Sequence, residues 1–169
     1  KDNAQRENLF QSIAINRAKR LSPYVLLPEQ IDTSCLRDLL SENLIVSNTD
    51  SLGIVRYAPS HDILEDWALV RYVASLYSEV DENLQECFIK AGDSYAVRRG
   101  FRFWLQELYR VNPDQAQKIS TEILSHGEIE ENWKNEAITA LLNSNICSDF
   151  LRANQQLLLD KDSKLLIRL

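Results

Sequence analysis

One corner of the sequence limits what this chain can become: an extended run, Tyr57-Ala58, meets Pro59 and at once gives way to a helical pattern. The proline ring fixes its own backbone and offers no N–H, so neither a strand nor a helix runs straight through it. Beyond it, Ser60 is a fitting N-cap and Asp62, Glu65 and Asp66 gather in the first turns, where a helix dipole favours acids. Ile63, Trp67, Val70, Ala74 and Tyr77 recur at steps of four and three, which predicts one buried face. His61 then falls on the first helical position. Free N–H groups at such an end are where proteins hold phosphate, so His61 is the first candidate for contact with a nucleotide.

Upstream, apolar spacing predicts a helix over 3–20 with Leu9, Phe10, Ile13 and Ala14 inward and a basic end at Arg17, Lys19 and Arg20. Tyr24 to Leu27, between Pro23 and Pro28, reads as a short extended piece. A second helix is expected over 33–43, capped by Asp32 or Thr33, with Leu36, Leu39, Leu40 and Leu44 buried. Leu44-Ile45-Val46 and Ile54-Val55-Arg56-Tyr57 then form a hairpin around a long polar tip, 47–53. Helix, short strand, helix, hairpin is the order of a winged-helix domain, here with at most one helical turn over 29–32.

After Tyr77 the pattern is helix upon helix: from Asp81 to Lys90, from Tyr95 to Val111, from Asn112-Pro113 to His126-Gly127, from Glu130 to Asn143, and from a Ser148 cap through Leu151, Leu157 and Leu158. Val97, Phe101, Trp104, Leu108 and Val111 are expected to line the core, with Trp67 and Trp133. Short links between amphipathic helices place neighbours antiparallel, as in a HEAT- or armadillo-like α-solenoid. No clean repeat period appears, so an unrepeated bundle stays open. The fold class is mainly α, with a winged-helix domain over 1–77 and a helical repeat region over 78–169. The missing Met at the start and the apolar ending Lys164 to Leu169 suggest a piece of a longer protein.

Composition narrows the function. Four Gly and four Pro in 169 residues favour helices. The net charge is -6, yet residues 1–60 carry 7 basic and 7 acidic side chains, so neither half attracts polyanions. Cys35, Cys87 and Cys147 lack paired spacing and read as reduced thiols in a cytoplasmic protein, with no metal set. No apolar run reaches the length needed to span a bilayer, so no membrane partner is expected. There is no phosphate-binding loop of the G-x-x-x-x-G-K-[ST] kind and no nucleophile beside a histidine, so this chain is not expected to be an enzyme by itself.

The segments Leu36 to Val46, the hairpin, and Tyr57 to Ala68 resemble the winged-helix domain of STAND-class NTPases, the signal-transducing ATPases that include apoptotic, plant-resistance and bacterial antiphage proteins. The resemblance covers residues 1–77 and, by architecture alone, the helices after them. It implies that His61 and Asp62 match a His-Asp pair that holds the β-phosphate of ADP and keeps such proteins closed; Ser60 departs from the Met found in plant members. It also implies ADP or ATP with Mg in the parent protein, a nucleotide-binding domain of the same longer chain as partner, and a protein ligand for the helical repeats.

Two other functions are open to these residues. As a DNA-binding winged helix the chain is poorly charged, since Arg37 is offset by Asp38 and Glu42 and the hairpin tip has no cation. As a free-standing helical adaptor it would recognise protein through Arg98, Arg99, Arg102 and Arg110 with Tyr95 and Tyr109, although Glu107, Asp93 and later acids are natural partners for these arginines.

Overall fold

A computed structural model describes residues 2–28 and 30–155. The predicted ends at Leu157, Leu158 and 164–169 lie outside the described residues. Among those described there are eight helices and one two-stranded antiparallel sheet, so the protein is mainly helical. None of these helices is long and apolar enough to cross a membrane.

Helix α1 (Asp2–Arg20) ends in the expected basic turn. Helix α2 (Thr33–Ser41) is capped by Asp32, whose carboxylate accepts the Ser34 N–H at 2.9 Å. The hairpin follows as β1 (Ile45–Thr49) and β2 (Val55–Pro59), paired from Ile45 opposite Pro59 to Thr49 opposite Val55. The strands claim Ser47 to Thr49 from the expected tip. The tip is shorter because the Asp50 carboxylate accepts the N–H groups of Leu52 and Ile54, which closes the turn within 50–54. Val25 adds a single bridge to Tyr57, with 2.8 Å bonds in both directions. The described residues 30–32 form no helical turn.

The remaining helices are α3 (Asp62–Glu79), α4 (Leu84–Ala91), α5 (Tyr95–Val111), α6 (Pro113–Ser125), α7 (Glu131–Leu142) and α8 (Cys147–Ala153). Ser94 caps α5 through the Val97 N–H, and Asn112 caps α6 with Pro113 next to it, both as expected. Two starts differ. Helix α4 begins after Asn83, which accepts the Glu86 N–H, because Asp81 and Glu82 take left-handed backbone angles in the turn that reverses the chain. Helix α8 begins after Ile146, and Ser148 lies inside it.

Two apolar clusters form. The smaller gathers Ile13, Val25, Leu39 and Ile45 with Leu9, Phe10, Leu36 and Tyr57 around it. The larger runs from Ala18 of α1 through α3 to α8, with Phe88 stacked on Trp133 at 4.2 Å and Phe101 meeting both edge-on. Leu69, Val73, Leu76 and Tyr77 of α3 belong to the larger cluster, and α1 contributes to both.

The stripe expected on α3 is corrected. Glu65, Ala68, Leu69, Val73, Leu76 and Tyr77 face inward, while Ile63 is 62% and Trp67 66% exposed. That helix is apolar almost all round, so spacing permits two faces and packing chooses one. The choice is fixed by α5: a Cβ on Gly100 would stand 2.6 Å from Leu69 Cβ and 3.2 Å from its carbonyl carbon. Only a glycine lets the two helices approach that closely. On α5, Val97 and Phe101 are buried and Trp104 and Leu108 pack half-buried against the core as expected, Val111 is exposed, and Leu105 and Tyr109 are fully buried as well.

Gly100→Ala should therefore destabilise the protein in urea unfolding. Overpacking of about 1–3 kcal/mol outweighs the roughly 1 kcal/mol that alanine gains as a helix former. A second check uses tyrosine ionisation. Burial, aided by Glu82 and Glu122, pushes Tyr77 up to about 12, and burial pushes Tyr109 to about 12 despite its bond to Ser120. Both folded values exceed the ordinary 10, so the stability these phenols lend is intact below that pH. It drains away as pH rises through 12. Absorbance at alkaline pH should show Tyr77 and Tyr109 ionising late, together with unfolding.

Candidate functional site

The α3 corner is held from behind. The Ser60 N–H donates to the Leu44 carbonyl at 3.0 Å and its hydroxyl donates to the Asn43 carbonyl, so Ser60 is tied to the turn before β1. With Ser60 occupied, the N-cap moves one residue on, to His61, rather than Ser60 as the sequence suggested. His61 is extended (φ -140, ψ 144), and its carbonyl accepts the N–H groups of Leu64 at 3.1 Å and Glu65 at 3.4 Å. Its imidazole is exposed and makes no capping bond. Asp62 follows as the first helical residue, its side chain 80% exposed and 3.9 Å from Arg17.

Beneath the corner lies a charged clamp that the sequence reading missed. Glu65 is 3% exposed, and its Oε2 accepts from Arg17 Nη1 at 2.6 Å while Arg99 Nη2 stands 3.7 Å away. Arg17 also donates through Nε to the Pro23 carbonyl, and Arg99 donates to Asp66 Oδ1 at 2.7 Å. Three helices, α1, α3 and α5, thus meet on one carboxylate. Its second oxygen, Oε1, has no hydrogen-bond partner among the described residues. A cleft of about 410 Å³ opens here, lined by Arg17, Leu21, Pro23, Asp62, Glu65 and Arg99. Asp62 belongs to it, but His61 does not. The legible signal was a lone acid on the Ala68, Leu69 and Leu76 face, which demands a cation once that face is buried. In the sequence alone, the helix dipole is enough to account for Glu65.

The four arginines of α5 are each engaged within the chain. Arg98 bonds Asp93, Arg99 bonds Asp66, Arg102 reaches Glu136 of α7 at 3.2 Å, and Arg110 grips Glu107 with two bonds. Tyr95 is exposed beneath Arg99, but Tyr109 is fully buried and shares a 2.5 Å hydrogen bond with Ser120, so it is no surface aromatic. On the hairpin, Arg56 pairs with Asp50 at 3.2 Å. Cys35 and Cys87 are buried, Cys147 is half-buried, and burial raises the Cys87 thiol to about 11. Among the described residues no three His, Cys, Asp or Glu side chains converge as a metal set. No family model matches the chain, and no curated protein matches it.

The clamp yields a direct test. Arg17→Ala leaves the Glu65 carboxylate buried with only the distant Arg99, which should cost about 3 kcal/mol in urea unfolding, whereas Arg17→Ala combined with Glu65→Leu should recover most of that loss.

Proposed function

We propose that this chain is the regulatory part of a STAND-class signal-transducing ATPase. In this reading a winged-helix unit over 1–77 packs on a nucleotide-binding module of the same longer chain, and the helices after it recognise a protein ligand. The observation that carries the proposal is the corner at His61: an exposed imidazole, free of any capping bond, at the head of an 18-residue helix.

The chemistry suits a phosphate. A helix N-terminus offers N–H groups and the positive end of a dipole, and a neutral imidazole still donates one hydrogen bond. His61 and the first N–H groups of α3 would hold the β-phosphate of ADP, which supplies the negative charge that locks the closed state. Asp62 gains from the same dipole and leaves the imidazole free. A hydrogen bond to a charged group contributes about 1.5–3 kcal/mol, roughly a tenfold to hundredfold bias between bound and empty states. The order helix, bridge strand at Val25, helix, ribbon and helix adds support for the winged unit.

The test belongs in the longer protein that carries the nucleotide module. His61→Ala should lower the ADP retained through purification by about tenfold to hundredfold and raise signalling output, with circular dichroism unchanged. Full ADP retention in a folded variant would remove the switch role.

A further inference from the structure

We infer that the groove between α3 and α5 at Ile63, Trp67, Val70 and Phe103 docks a cationic amphipathic helix from a protein partner. This rests on the protein-recognition half of the reading above and owes nothing to His61 or to ADP.

Helix α3 carries two apolar stripes, and only one is used internally. The other, Ile63, Trp67 and Val70, follows helical spacing of four and three and opens to solvent, with the half-buried Phe103 of α5 beside it. Contiguous exposed apolar surface that includes a tryptophan marks an interaction site more often than a bare wall. The recess measures about 560 Å³, room for two or three large side chains. A helix presenting apolar residues at i, i+3 and i+4 supplies such anchors on one ridge.

Charge selects the kind of helix. Among the described residues the charged side chains lining the groove are Asp66 and Glu107, with no lysine or arginine. Arg99 holds Asp66 through Oδ1 at 2.7 Å from the side away from the recess lining, which includes Asp66 but not Arg99. Glu107 is held by Arg110 three residues on, but both side chains are exposed, and an exposed pair of this kind contributes little and exchanges readily. Asp62, 80% exposed, adds negative charge at the head of α3. An apolar floor between carboxylates fits a stripe of leucine-like side chains flanked by lysine or arginine, and rejects the same stripe flanked by acids.

The experiment titrates the chain with a synthetic peptide of about 18 residues, long enough to form a helix, built from Leu on one face and Lys on the other, against its twin with Glu in place of Lys. Calorimetry and tryptophan emission follow binding. The Lys peptide should bind and shift Trp67 emission to the blue, and the Glu peptide should not bind. Trp67→Ala should weaken binding at least about tenfold without lowering the melting temperature, since the side chain is largely in solvent. Glu107→Lys should weaken it too, as should raising salt to about 0.5 M. Equal binding of both peptides would overturn the charge argument. Undiminished binding to Trp67→Ala would move recognition to another face, sinking the groove while sparing the helices as a recognition module. A dimer in the absence of peptide, abolished by Trp67→Ala, with no peptide bound, would give the groove to a second copy of the chain and overturn the proposal.

Discussion

The carboxylate of Glu65 is the fastening on which the arrangement of this protein depends. It is almost sealed from water, and the cost of holding a charge there is offset only because Arg17 arrives from α1 and Arg99 from α5. Remove either helix and the carboxylate has too few partners. The same residue therefore decides how the ribbon-bearing unit meets the helices beyond it, and Gly100, by letting α5 press onto Leu69, decides how closely.

Above that fastening, the corner at His61 is located from two sides. Ser60 binds it to the turn between α2 and β1, and the clamp grips it one turn into α3. A side chain between two such anchors is presented at a defined angle although it is itself in solvent. The exposed stripe of α3 shares this rigidity, since it lies on the same helix. Preorganised surface of this sort loses little freedom when something covers it.

Much of the architecture was legible because caps and breakers act locally. Asp32, Ser94, Asn112 with Pro113, and the His126-Gly127 stop each do what neighbouring backbone chemistry dictates, and α5 falls on the bounds that its pattern gives. What escaped depends on partners remote in sequence. Trp67 reads as core because large apolar residues at helical spacing usually are, yet Leu69 wins the inner face through a glycine 31 positions later. Glu65 reads as a dipole residue because its cations lie in other helices. Ser60 reads as a cap until its hydroxyl is seen bonded to Asn43. Asp81 and Glu82 look like a helix start, but the need to turn the chain puts both in left-handed backbone. The nucleotide role of His61 and Asp62 was read from resemblance and from the chemistry of a helix end, and it is a matter for the ADP experiment.

The double membership of α1 has a consequence for how the molecule is made. Its middle belongs to the small cluster, while Ala18 and Arg17 belong with α3 and α5, and the Glu65 that answers Arg17 is 48 residues later. On the ribosome α1 emerges before the helices it packs on, and its Arg17–Ala18 end must wait, uncovered, until α5 has been synthesised. The ribbon-bearing unit is thus begun early and finished late, and that interval is where a chaperone would find the nascent chain most exposed.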